Sequence, residues 1–277
     1  MFPTHSPART NAPPPDLRIV PVESVLPHET HDDQRSGPLI DNLRHAEVMI
    51  NPPIVAPLDE HHFVVLDGAN RCHTFRHLEY PHILVQVAHY DSGYVDLLTW
   101  QHILSGWNTE SLIDHLNNLS TIELITEQSP EAIAHFILPD ARVFALNAQV
   151  TSTHERNAIL RDVVGIYQHH ATLNRTAMSE PEEIWPLYPD ALALVIFQHY
   201  TPADIIAAAR YQAYLPPGIS RHIIHGRALR VNYPMARLRD PYTDIEKKNI
   251  ILKTWVQEKI AHRQVRYYAE ATYQFDE

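Results

Sequence analysis

Asp67, Gly68, Asn70 and Arg71 stand in the run Val65-Leu66-Asp67-Gly68-Ala69-Asn70-Arg71, where an apolar strand pattern ends on an acid and a helix pattern begins. A helix start gathers backbone N–H groups and the positive dipole end at one point, and Arg71 adds a guanidinium one turn inside, so the arrangement suits phosphate. Asp67 could hold magnesium directly or through water, and Asn70 could orient a phosphate oxygen. The same residues also describe an ordinary strand-turn-helix with a capping acid and a surface arginine. Glu29, after Pro27-His28, stands in a loop that also holds Asp32 and Asp33, where a solvated charge is the plainer reading.

The elements needed to carry these residues can be read around them. Leu17 to Val22 alternates as a short strand, and Leu39, Ile40 and Leu43 sit at helical spacing until Asn51-Pro52-Pro53 stops the helix before an Ile54-Val55-Ala56 strand. Asp59-Glu60-His61 turns the chain into Phe63 to Leu66, a helix runs from Asn70 to Leu78, and Ile83 to Val87 completes a sheet. Beyond it, helical stretches (Glu155 to His169, Pro202 to Tyr214, Asp244 to His262) mix with an apolar run, Ala191 to Phe197, and a closing strand, Val265 to Phe275. The expected fold class is α+β, with a flexible tail over 1–16, an α/β nucleotide-binding domain over 17–105 and a substrate lobe over 106–277, a cleft lying between the two.

Composition narrows the partners. The 277 residues carry 33 acidic against 22 basic side chains, a formal charge of −11, which disfavours an extended contact with nucleic acid. One cysteine, Cys72, excludes an internal disulfide and a cysteine-based zinc cluster and fits a reducing cytoplasm. The N-terminus lacks the apolar core of a secretion signal, and no segment approaches the roughly 20 apolar residues that span a bilayer. The twenty histidines show no metal-ligand spacing; His61-His62 and His169-His170 are adjacent pairs, a poor geometry for chelation. The stretch Arg221 to Arg230 is basic, and reads equally as a phosphate-binding surface or as a strand with charged and apolar faces.

The ordered set Leu17 to Val22, Pro27-His28-Glu29, Asn51-Pro52-Pro53-Ile54-Val55, Val65 to Arg71 and Val85-Gln86-Val87 resembles the ParB/sulfiredoxin superfamily. That superfamily includes chromosome-segregation CTPases, sulfinic-acid reductases and free L-serine kinases, so the fold alone does not choose a function. Sulfiredoxins carry a reactive cysteine two residues before the motif arginine; here Ala69 stands there, and Cys72 lies after Arg71, where it reads as a helix-packing residue. No helix-turn-helix or arginine-rich nucleotide motif of the segregation proteins is evident. Three segments resemble the free serine kinase branch: Pro27-His28-Glu29, Thr99-Trp100-Gln101-His102, and Gly218-Ile219-Ser220-Arg221-His222, normally Gly-Ile-Thr-Arg-His.

The resemblance implies transfer of a phosphoryl group from ATP or ADP, with magnesium, to the hydroxyl of free L-serine. It implies Glu29 as base, Asp67 as positioning or metal carboxylate, and Gly68, Ala69, Asn70 and Arg71 as the holders of donor phosphates. Trp100 would wall the pocket, although it reads as well as a core residue, and Ser220, Arg221 and His222 would grip the amino-acid carboxylate or product phosphate. The alternative is a non-catalytic ParB-like nucleotide-binding regulator of transcription or of another protein. Oligomeric state has no signature in the sequence.

Overall fold

The protein is described from a computed structural model over residues 12–31 and 33–268; residues 1–11 of the expected tail lie outside this range, and Asp16 already belongs to a strand. The chain forms two compact units. Among the described residues, the first comprises 12–27, 31, 33–96 and 222–268, and the second comprises His28–Thr30 and Leu97–Arg221.

The first unit opens with β1 (Asp16–Pro21), β2 (Val25–Leu26), α1 (Asp33–His45), β3 (Val48–Met49), β4 (Ile54–Pro57), β5 (Phe63–Asp67), α2 (Ala69–His77) and β6 (His82–Val87). Five strands form a mixed sheet in the order β1-β6-β4-β5-β2. β6 pairs antiparallel with β1 and parallel with β4, which pairs antiparallel with β5. β5 is apolar and β-branched, so it fits the sheet interior, and its three central residues are buried. β7 (Val95–Thr99) then carries the chain out of this unit.

The second unit contains β8 (Gln101–Ser105), α3 (Thr109–Asn117), β9 (Glu123–Ile125), β10 (Ala134–Ile137), β11 (Val143–Asn147), α4 (Thr153–His170), β12 (Thr172–Thr176), α5 (Pro181–Ile184), β13 (Ala191–Phe197) and α6 (Pro202–Arg210). Its six-stranded sheet, β12-β8-β13-β10-β11-β9, is antiparallel throughout. Side chains close the helix starts: Asn108 accepts from the Ser111 N–H and Ser152 from the Glu155 N–H, while Thr201 and Asp204 form a reciprocal capping box. α6 ends before the expected Tyr214, because Gln212 adopts φ 54°, outside the right-handed helix.

β14 (Ser220–Ile224) pairs with β7 and returns the chain to the first unit, where β15 (Tyr233–Pro234), α7 (Met235–Arg239) and α8 (Ile245–Ala261) follow. Tyr233, Met235, Leu238 and Leu252 join Ile19, Phe75 and Leu84 in one buried core. Burial of each large side chain there contributes roughly 1.5–3 kcal/mol. The units therefore differ from a division at 105/106: β8 is an inner strand of the second sheet, and the last helices complete the first unit. The expected closing strand does not form over 265–268, and its remainder lies outside the described residues.

Candidate functional site

Gly68 is the turn between β5 and α2, with φ +94°. A Cβ there would come within 3.0 Å of the Arg71 Nη2 and 3.1 Å of the Pro53 Cβ, so both the backbone angle and the space call for glycine. Arg71, one turn inside α2, donates to the Asn51 carbonyl and, at 3.3 Å, to Asp67 Oδ2. Arg227 forms a second ion pair with the same Asp67 oxygen. Two guanidiniums thus face one carboxylate at the strand end, a surplus of positive charge beside the helix start. Cys72 is buried in the adjoining helix, where desolvation pushes its thiol up to about 12; it stays a protonated packing residue, as its position in the motif suggests.

Glu29 belongs to the second unit although its sequence neighbours belong to the first. The His28 carbonyl accepts from the Leu215 N–H and the Thr30 N–H donates to the Leu215 carbonyl, both at 2.9 Å, a one-residue parallel bridge that fixes Glu29 between them. Glu29 Oε2 then accepts the Gly218 N–H at 3.0 Å, across a separation of 189 residues. His28 Nε2 and Ser220 Oγ are 2.6 Å apart, both buried. The candidate base and the candidate substrate loop, remote in sequence, are one hydrogen-bonded assembly.

The loop is held from several sides. Arg175 donates to the Pro217 carbonyl at 3.1 Å, and the Trp100 N–H to the Ile219 carbonyl at 2.8 Å. His102 Nε2 lies 3.3 Å from the Gly218 carbonyl and His102 Nδ1 lies 2.7 Å from the Tyr167 hydroxyl. A carbonyl only accepts, so Nε2 carries the proton and Nδ1 accepts from Tyr167. Burial lowers the His102 pKa to about 4, against the opposing effect of the Gly218 carbonyl, so the ring is neutral. Gly218 has φ +73°, and a Cβ there would overlap the Arg175 guanidinium. Arg221 does not share the surroundings of Ser220: its guanidinium lies over the Trp100 ring, 4.6 Å from the centroid, a cation–π contact.

The sequence-derived candidates therefore fall in two groups. Glu29, Trp100, Ser220 and Arg221 lie in the second unit; Asp67, Gly68, Ala69, Asn70, Arg71 and His222 lie in the first. His222 is paired there with Tyr90, its Nε2 being 2.7 Å from the hydroxyl. His28, His102, Arg175 and Arg227 were not singled out by sequence reasoning. The histidines stand inside quoted motifs, Arg227 lies in the basic stretch after residue 220, and Arg175 carries no local signal at all.

The mixed five-stranded sheet with a glycine turn feeding a helix, followed by an antiparallel second unit, has the same fold as solved structures of serine kinases. No family model matches the chain. It is 24% identical over 264 residues to the ATP-dependent L-serine kinase SbnI of Staphylococcus aureus, covering 93% of this chain and 96% of that one. The solved structure of SbnI with a C-terminal truncation superposes with a TM-score of 0.70 at 22% identity, over 89% of this chain and 97% of that one. A free serine kinase in complex with AMP superposes with a TM-score of 0.68 at 14% identity, over 85% of this chain and 98% of that one.

Proposed function

We propose that this chain is a free L-serine kinase, moving a phosphoryl group from ATP or ADP to the serine hydroxyl to give O-phospho-L-serine. The observation that carries the reading is the Glu29 carboxylate hydrogen-bonded to the Gly218 N–H, beside Ser220. A serine hydroxyl is a weak nucleophile and needs a fixed carboxylate to take its proton. A carboxylate has two oxygens and about four acceptor sites, and the Gly218 N–H is held by one of those oxygens, Oε2. The likeness to SbnI, named an ATP-dependent L-serine kinase, and to a free serine kinase that binds AMP supports the same chemistry.

Ser220 would bind the amino acid through its hydroxyl. If His28 donates from Nε2, the Ser220 O–H is available to the serine carboxylate; the opposite tautomer offers an acceptor to the ammonium group. Arg221 and His222 would supply further contacts to carboxylate or product phosphate, and Trp100 an apolar wall. In the other unit, the helix start at Gly68, Ala69 and Asn70 together with Arg71 would hold the donor phosphates.

Magnesium would supply charge neutralisation at the phosphates. Among the described residues no group of three or more His, Cys, Asp and Glu could hold a metal. Asp67 offers one carboxylate, which suits an ion that arrives on the nucleotide and keeps most of its ligands from phosphate and water. No helix of the described residues is long and apolar enough to cross a membrane, and the single buried cysteine supports a cytoplasmic setting. The net charge of −11 disfavours nucleic acid as a partner.

The test is phosphorus NMR of purified protein with magnesium, L-serine and either ATP or ADP. Wild type is expected to produce O-phosphoserine, and Glu29→Gln to lose about 10²–10⁴ in rate while melting at the wild-type temperature. Nucleotide consumption without phosphoserine, or full activity of Glu29→Gln, refutes the reading.

A further inference from the structure

Gln86 is an amide inside an apolar strand, Ile83-Leu84-Val85-Gln86-Val87, and is only 4% exposed. A buried amide costs free energy unless its donors and acceptor are satisfied. Gln86 spends both ends on one distant segment: Nε2 donates to the Gly226 carbonyl at 3.1 Å, and Oε1 accepts the Ala228 N–H at 2.8 Å. These two bonds bracket Arg227. The segment is fixed at its flanks as well. Gly226 has φ +79°, and a Cβ there would meet Ala12 Cβ at 2.9 Å; the Arg230 N–H donates to Asn51 Oδ1 at 2.9 Å, and the Asn51 carbonyl in turn receives Arg71.

The result of this scaffolding is a guanidinium delivered from the C-terminal third of the chain to Asp67 Oδ2, the oxygen that Arg71 also uses. The Arg227 side chain is 33% exposed and that of Arg71 is 24% exposed. An ion pair so open to water contributes little to stability, and one carboxylate leaves a positive charge uncancelled. A buried amide devoted to holding an arginine there has its physical reason in a ligand that needs the charge.

We propose that Arg227 is a second phosphate-binding guanidinium of the nucleotide site, with Gln86 as its positioning residue and Asp67 as the partner it exchanges for phosphate. The inference rests on the nucleotide reading proposed above. Phosphate offers Arg227 two or more oxygens in a fork geometry and a larger charge than Asp67. The nucleotide is thereby bound by both the segment at Gly68 and the segment at 226–228, which lie far apart in sequence.

Binding of ADP and of adenosine is measured by calorimetry for wild type, Arg227→Ala, Arg227→Lys, Gln86→Met and Arg71→Ala. Adenosine lacks phosphate, so the ADP-to-adenosine affinity ratio isolates the phosphate contribution. Arg227→Ala is expected to lower that ratio about tenfold to a hundredfold, and Arg227→Lys by less. Gln86→Met is expected to lower it severalfold with adenosine affinity unchanged, a signature that mere loss of packing does not produce. A wild-type ratio near one overturns the nucleotide reading and this inference with it. A wild-type ratio preserved in Arg227→Ala but lost in Arg71→Ala overturns the inference alone.

Discussion

His102 links the substrate loop to pH. Its ring is fully buried, held between the Gly218 carbonyl and the Tyr167 hydroxyl, and its pKa falls from the ordinary 6.5 to about 4 because burial disfavours the charged ring. In the unfolded chain the same ring titrates normally, so between these values the unfolded state binds more protons and stability declines as pH falls. The contribution is fully present above pH 6.5 and is lost as pH approaches 4. A fall from 6.5 to about 4 corresponds to about 3 kcal/mol, more than half of it already lost by pH 5. The assay is urea unfolding of wild type and His102→Gln at a series of pH values from 7 to 4. Glutamine can still donate to the Gly218 carbonyl and does not titrate, so subtraction removes the effects common to both proteins, including those of His82 and the acidic residues. The wild-type curve should fall more steeply by this amount. Parallel curves would refute the argument that the folded loop demands a neutral imidazole.

Gly218→Ala combines a left-handed backbone, costing about 1–2 kcal/mol, with overlap of the Arg175 guanidinium. It is expected to raise the KM for serine and lower kcat while ADP binding, read by calorimetry, is retained. Gly68→Ala should do the reverse, weakening ADP affinity roughly tenfold, since φ +94° and the 3.0 Å approach to Arg71 disturb the helix start; unchanged ADP titrations would contradict it.

The elements that proved legible are those whose information is local. β5 and α2 follow from an apolar run broken by Asp67-Gly68, and Cys72 is a packing residue as its place in the motif implies. What escaped depends on pairing across long separations. No local pattern tells that His28–Thr30 leaves its neighbours to bridge Leu215, or that β8 takes an inner place between β12 and β13. The same holds for Arg175, an arginine in a partly exposed strand whose significance exists only once Pro217 and Gly218 are set beside it. The helical periodicity of α6 persists to Tyr214, past the point where Gln212 turns the backbone to positive φ, so the pattern overshoots the helix end at Arg210.

Asn249 on α8 accepts the Ile19 N–H at 2.9 Å and donates to the Ile19 carbonyl at 2.8 Å, serving β1, an edge strand of its sheet, as a missing neighbour would. During synthesis from the N-terminus, that edge waits for residue 249. Every segment of the second unit, His28–Thr30 and Leu97–Arg221, leaves the ribosome before α8 does. β1 therefore emerges before the second unit but is completed only after it, and a chain interrupted before α8 leaves that strand edge without Asn249.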